Sequence, residues 1–266
     1  MRIDLNCDMG ESFGRYTLGN NAAMLDVVTS ANVACGLHAG DPTVMQATVA
    51  LAAQKGVAVG AHPGYPDLQG FGRRTMALTP AEIEATVLYQ IGALAGFARA
   101  AGVPLIHVKP HGALYNVAAR DIAVAEAIVR AAAAFDPALI VVTLPDSALL
   151  HAAQTAGLRV AYEGFADRAY REDGTLVPRT EPGAVIHDPA LATARAIRMV
   201  TLGEVEAITG KTVPLHIDTL CIHGDTPGAV AIAAALRLAL ESEGVVVAPL
   251  HIGTRIPTES TDFSLK

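Results

Sequence analysis

Apolar residues along this chain gather into short runs rich in Val, Ile, Leu and Ala, separated by longer stretches with helical periodicity. The runs predict strands at Arg2 to Cys7, Thr29 to Ala34, Val57 to Ala61, Ile106 to Val108, Leu139 to Thr143, Arg159 to Glu163 and Leu215 to Cys221. Cap signals predict the helices between them. A short helix covers Asn21 to Val28; Asp41–Pro42 opens one that stops at Gly56; and the T-P-A-E box at Thr79 to Glu82 opens one running from Pro80 to near Gly102. Further helices run from Asp121 to about Phe135, from Asp146 to Gly157, from Asp188–Pro189 onward, and from Thr226–Pro227 to Gly244. Thr209 to Pro214 reads as a turn region, and Val245 to Pro249 as a last short apolar run. The stretch from Glu163 to Gly183 is rich in charge, Gly and Pro, and is expected to be a mobile loop over the site.

Seven strand-like runs alternating with capped helices, without a linker or a repeat, predict an α/β fold. One domain over residues 1–266 is expected, with parallel strands joined by right-handed crossovers. All strands then point one way, so residues just past their carboxyl ends converge on one face. Those residues are Asp8, His38, His62, Lys109, His111, Glu163 and His223. The V-K-P-H-G-A-L-Y-N segment from Val108 to Asn116 is the sharpest case, because Lys109 and His111 follow at once where the apolar run stops. His107, inside the strand, reads as a hydrogen-bonded core residue, and Asp41 as a helix cap. The long loop after His62 carries Arg73 and Arg74, a candidate clamp for carboxylate or phosphate.

Composition narrows the chemistry. Hydrophobic residues make up 52%, aromatics 5%, and there is no Trp, so the core is built from small aliphatic side chains. With 19 Lys and Arg against 26 Asp and Glu, the formal charge is −7, and no basic run is present; nucleic acid and anionic membrane are not expected partners. Three cysteines, Cys7, Cys35 and Cys221, never fall in C-x-x-C spacing, which argues against a disulfide framework or a zinc knuckle. The N-terminus enters a strand pattern at once and no apolar stretch reaches spanning length, so a soluble cytoplasmic protein is expected. Neither a Walker A loop nor a dinucleotide fingerprint is visible.

Six ordered motifs carry a resemblance. L-N-C-D-M-G-E-S at Leu5, S-A-N-V-A-C-G-L-H-A-G-D-P at Ser30, G-A-H-P-G-Y-P-D at Gly60 with G-F-G-R-R at Gly70, V-K-P-H-G-A-L-Y-N at Val108, F-A-D-R-A-Y at Phe165 and C-I-H-G-D at Cys221 resemble the LamB/YcsF family over nearly the whole chain. The resemblance implies a seven-stranded parallel (β/α) barrel similar to the glycoside hydrolase/deacetylase type. It also implies a component of an ATP-dependent 5-oxoprolinase that opens 5-oxo-L-proline to L-glutamate with release of ADP and phosphate. Two further subunits, of the B and C type, and ATP with magnesium are then the expected partners and cofactor; a homo-oligomer is compatible.

Opening a lactam in this way needs a base for water, donors for developing negative charge and a clamp for the substrate carboxylate. Residue type and placement offer Asp8 or His62 as base, Lys109 and His111 as electrostatic stabilisers, and Arg73 or Arg168 as clamps. Asn6, Asn32, His38, Glu163, His223 and Asp225 complete the substrate-binding candidates. Two rival readings exist. The first is a metal-dependent deacetylase or amidohydrolase on the same barrel, with Asp8, His38, His62 and His111 as available ligands. Against it, the deacetylases' paired histidines at helical-turn spacing are missing, since Asp41 and Pro42 lie three and four residues after His38. No tightly bound metal is therefore expected. The second rival is a non-catalytic subunit that only presents substrate.

Overall fold

The computed structural model describes residues 1–178, 180–222 and 228–251. In chain order the elements are β1 (Arg2–Met9), α1 (Asn21–Met24), β2 (Ser30–Ala34), α2 (Pro42–Lys55), β3 (Ala58–His62), α3 (Pro80–Ala100), β4 (Leu105–Val108), α4 (Gly112–Ala118) and α5 (Ile122–Phe135). They continue with β5 (Ile140–Thr143), α6 (Ala148–Thr155), β6 (Arg159–Phe165), α7 (Pro189–Leu202), β7 (Glu204–Glu206), β8 (Thr212–Pro214), β9 (Thr219–Cys221), α8 (Ala229–Ser242) and β10 (Val246–Val247).

Strands β1 to β6 pair in parallel in sequence order, β9 follows β6, and β9 pairs back onto β1, which closes a seven-stranded parallel barrel. β10 is an addition outside the closed ring. It pairs with Arg2 and Ile3 of β1, just before β9 takes over the same edge from Asp4 onward.

The alternation along β1 explains both layers of the molecule. Ile3, Leu5, Cys7 and Met9 are buried in the main apolar core, while Asp4, Asn6 and Asp8 alternate with them on the other face of the strand. On α3 the residues Ile83, Val87, Ile91, Leu94 and Ala98 form one buried stripe at helical spacing. α5 answers with Val124, Ala125, Ile128 and Ala132, whose small side chains permit close approach. Burying each Ile or Leu of these stripes contributes roughly 1.5–3 kcal/mol.

The second layer is polar and holds the strands in register. Asp4 accepts from Thr29 (2.7 Å), from Ser30 (2.6 Å) and from the Thr219 hydroxyl, tying β1 to β2 and to β9. Burial raises the Asp4 pKa, and those hydrogen bonds only partly oppose it. Gly60 makes room for this layer: a Cβ there would sit 2.1 Å from the His107 Nε2.

Most predicted caps are observed. Asp41, Asp121 and Asp188 accept from the first amides of their helices, Thr79 and Glu82 form the reciprocal box, and Gly56 ends α2 at φ 68°. The predicted Thr226–Pro227 start of the last helix lies outside the described residues. Other features differ. Ser147, not Asp146, caps α6: Asp146 sits at φ 53°, while Ser147 is extended and its Oγ accepts from the Leu150 amide. α4 gives no signal in the sequence because its seven residues G-A-L-Y-N-V-A follow Pro110 without a side-chain cap. The expected turn at Thr209 to Pro214 is part of an antiparallel hairpin, β7 with β8, and the seventh barrel strand begins at Thr219 and not at Leu215. Among the described residues no helix is long and apolar enough to cross a membrane.

Candidate active site

β1 and β3 each run slightly further than their apolar pattern indicates, so Asp8 and His62 sit within the last residues of strands and not in the loops beyond them. That gives them rigid backbones. Lys109 and His111 follow β4, and Glu163 lies within β6.

Lys109 is the hub of a network that uses all of its donor capacity. Its Nζ lies 2.7 Å from Glu163 Oε1, 3.0 Å from Asp8 Oδ1, 3.2 Å from Asn6 Oδ1 and 3.3 Å from Cys221 Sγ. Glu163 is fully buried and its second oxygen accepts from the Tyr115 hydroxyl at 2.7 Å. Asn32 donates to Asn6 (2.7 Å) and Asp8 (2.9 Å), and its own oxygen lies 2.7 Å from His107 Nε2. Because an amide oxygen only accepts, His107 carries its proton on Nε2. Burial and the nearby Lys109 push the His107 pKa down to about 3, so this histidine is neutral.

The charges in the network support one another. Burial disfavours an ionised Asp8, yet positive charge at His62, where present, and on Lys109 beside it outweighs that and holds its carboxyl well below the usual range. Burial likewise disfavours a charged Lys109, and Asp8, Cys221 and Glu163 outweigh it, so the ammonium is held well above its ordinary value. Lys109 thus stays a cation and Asp8 an anion at neutral pH.

Beside Asp8 lies a cluster of three histidines. The His38 and His111 rings stack, with centroids 3.9 Å apart, and His62 meets both edge-on. Backbone carbonyls fix two of the tautomers. His62 Nδ1 is 2.7 Å from the Lys109 carbonyl and His111 Nε2 is 2.8 Å from the Phe71 carbonyl, so these nitrogens carry the protons. Burial first, and His62 next, push the His111 pKa down to about 3. His62 Nε2 then points at Asp8 Oδ2 (3.3 Å) and at His111 Nδ1 (3.0 Å). Glu11 approaches His111 Nδ1 to 3.9 Å. Gly64 and Gly72 leave the space for His38: a Cβ at either would come within 2.7 Å of it, and Gly72 also sits at φ 62°.

The open end of the barrel forms a cavity with Asp8, His62, Lys109 and His111 among its lining, and Arg73 and Arg168 on its walls. The two arginines differ. Arg73 is exposed, its guanidinium 5.0 Å from the Phe71 ring centroid. Arg168 is buried and donates to the carbonyls of Val177 (2.7 Å) and Ala184 (3.4 Å). It pins the segment after β6, where Ala169, Val177 and Ala184 form a small apolar cluster of their own and Tyr170 bridges to Leu176. Arg74 lies elsewhere, paired with Asp67.

The structure brings together Asn6, Asp8, Asn32, His38, His62, Lys109, His111 and Glu163 of the residues picked from the sequence. His223 and Asp225 lie outside the described residues. Sequence reasoning gave no site role to Glu11 or Tyr115. Tyr115 stands four residues after His111, one turn along a helix whose start carries no cap signal. Glu11 has only its place after the first strand to mark it.

A profile of the LamB/YcsF family matches residues 3–254. A Methylococcus capsulatus protein named as the A-type subunit of 5-oxoprolinase is 60% identical over 248 residues, covering 93% of this chain and 95% of that protein. Among solved structures, the lactam utilization protein from Thermus thermophilus superposes with a TM-score of 0.91 at 53% identity, covering 94% of this chain and 100% of that one. A family 4 carbohydrate esterase from Streptomyces lividans shares the fold alone, with a TM-score of 0.51 at 12% identity over 95% of this chain and 94% of that one. The match is continuous through every strand that supplies the site, and the chain belongs to the LamB/YcsF family.

Proposed function

We propose that this chain is the ring-opening component of an ATP-dependent 5-oxoprolinase, converting 5-oxo-L-proline to L-glutamate in company with two further subunits of the B and C type. The observation that carries the reading is the Asp8 carboxyl, held by Lys109 at 3.0 Å and Asn32 at 2.9 Å at the open end of the barrel, in a chain so similar to proteins named for that activity.

A five-membered lactam is a resonance-stabilised amide, and water alone opens it slowly. ATP, arriving with magnesium, supplies the activation: its γ-phosphoryl group on the lactam oxygen makes the ring carbon electrophilic. One water then adds to that carbon while the ring C–N bond breaks and its nitrogen takes a proton. A second water displaces phosphate from the new γ-carboxyl.

The chain's own groups serve these hydrolytic steps. Asp8 Oδ1 is saturated by Lys109 and Asn32, which leaves Oδ2 to accept the proton of the attacking water. Its low pKa makes it a weak base, which suffices because the carbon is already activated. Arg73, on the cavity wall, is the clamp for the substrate carboxylate; Arg168 is committed to the loop carbonyls.

The test is reconstitution: glutamate and phosphate are measured from 5-oxoproline and Mg-ATP with this chain alone, with the partner subunits alone, and with all together. Activity is expected only in the full mixture, and Asp8→Asn should lower turnover by about a hundredfold or more. Full ATP-dependent ring opening by the single chain, or an Asp8→Asn enzyme within a few-fold of the parent, would overturn the proposal.

A further inference from the structure

We propose that His38, His62, His111 and Glu11 form a binding site for one divalent transition-metal ion of the zinc class. The argument begins with the tautomers. The Lys109 and Phe71 carbonyls take the N–H of His62 and of His111, so the two nitrogens that face each other at 3.0 Å, His62 Nε2 and His111 Nδ1, both carry lone pairs in the neutral rings. Two lone pairs at that distance repel, and the arrangement is relieved by a cation between or beside them. Backbone carbonyls on the far ring nitrogens are also the usual outer support of metal-bound imidazoles, since they fix the tautomer and the ring plane.

His38 provides a second, independent observation. It is 1% exposed, yet neither of its ring nitrogens has a hydrogen-bond partner. A buried unpaired imidazole is costly, and two glycines make room for this one. One donor atom from each of His38, His62, His111 and Glu11 lies within 4.8 Å of the others, close enough for one ion to draw them together. Three imidazoles and one carboxylate suit zinc, cobalt, nickel, copper or iron and disfavour magnesium and calcium, which take oxygen ligands. Asp8 Oδ1 remains with Lys109, while Asp8 Oδ2, the oxygen that takes the proton of water in the function proposed above, borders the site at 3.3 Å from His62 Nε2.

The three histidines are those of the rival metal reading of the sequence, with Glu11 in place of Asp8; spacing alone does not join them because they come from three different strand ends, and the expectation of no tightly bound metal rests on the missing helical pair. The competing occupant is a proton on His62, donated to His111 or Asp8, and the experiment separates the two without using activity.

The full chain is stripped with a chelator, dialysed, and titrated with Zn²⁺ by calorimetry and with Co²⁺ by visible absorption, and bound metal is counted by mass spectrometry. One equivalent per chain is expected, with a cobalt spectrum of nitrogen-rich coordination and a raised melting temperature. Glu11→Gln and His38→Ala should each weaken binding by about tenfold or more, while His151→Ala, at an exposed position, should leave it unchanged. If His38→Ala fails to fold, the wild-type stoichiometry and the Glu11→Gln affinity still decide. No binding by the wild type at tens of micromolar metal, or binding unaltered in Glu11→Gln, would overturn the proposal and leave the proton as the occupant.

Discussion

Lys109→Met tests whether the hub of the network is structural as well as chemical. Methionine keeps much of the side-chain volume and removes the charge. In the structure the Lys109 side chain is 4% exposed, that of its partner Glu163 is fully buried and that of Asp8 is 20% exposed, so removing the ammonium strands one carboxylate with no solvent and another with little. Breaking a buried ion pair from one side typically costs about 3–5 kcal/mol. For a protein of this size 1 kcal/mol moves the melting temperature by about 2–4 °C, so a fall of roughly 6–20 °C is expected. A strand-end charge in solvent would instead change stability by less than about 0.5 kcal/mol. The assay is thermal and urea denaturation of the parent, Lys109→Met, Glu163→Gln and the double variant. Glutamine keeps an acceptor for the Tyr115 hydroxyl while deleting the charge, so the double variant should recover part of the loss. A Lys109→Met protein melting within about 2 °C of the parent would refute the reasoning, because the buried charges would then not depend on one another.

Tyr115→Phe removes the donor to Glu163 Oε2 and should cost about 1–3 kcal/mol by denaturation; an unchanged midpoint would show that this oxygen has another source of solvation. Gly60→Ala places a Cβ 2.1 Å from the His107 ring and should destabilise the barrel by about 1–3 kcal/mol or more; an alanine variant as stable as the parent would contradict the packing described. The Asp67 carboxyl is held below the usual range by its hydrogen bonds from Arg74, with help from the Gly70 amide. Its contribution is therefore complete above the unfolded value near ~3.9 and is lost as pH falls through the lower folded value. The stability gap between parent and Asp67→Asn should be open at about pH 6 and close below about pH 4, and a gap independent of pH would refute the pairing.

The barrel is readable because its determinants are local. Each strand is an apolar run ended by polar residues, and Asp41, Thr79, Asp121 and Asp188 mark helix starts through side-chain chemistry that sequence displays directly. The elements that escape lack that chemistry. α4 has no side-chain cap, and the β7–β8 hairpin consists of two three-residue strands whose pairing is tertiary. The site is legible as a set of strand ends, but its internal wiring is not. Nothing in the sequence distinguishes Arg168, buried against two loop carbonyls, from Arg73, exposed at the cavity wall.

That wiring divides the site into two zones with different capacities. Around Lys109 the charged groups and amides are paired: Glu163 has the Lys109 ion pair and the Tyr115 hydroxyl, Asn32 has Asn6, Asp8 and His107, and Asp8 Oδ1 has two donors, while His107 Nδ1 is left without a hydrogen bond. A network so satisfied fixes geometry and charge but offers a substrate few unpaired groups. The histidine side is the reverse. His38 has no hydrogen-bond partner, and His62 Nε2 and His111 Nδ1 face each other at 3.0 Å, with lone pairs on both while the rings are neutral. Free acceptor capacity is what a cation or a proton in transit requires, so the proposed cation belongs to the His38, His62 and His111 side and the proposed base, Asp8 Oδ2, to its border. Lys109, the most conspicuous residue of the sequence, then acts through Asp8, by holding it ionised and directing its second oxygen toward that side.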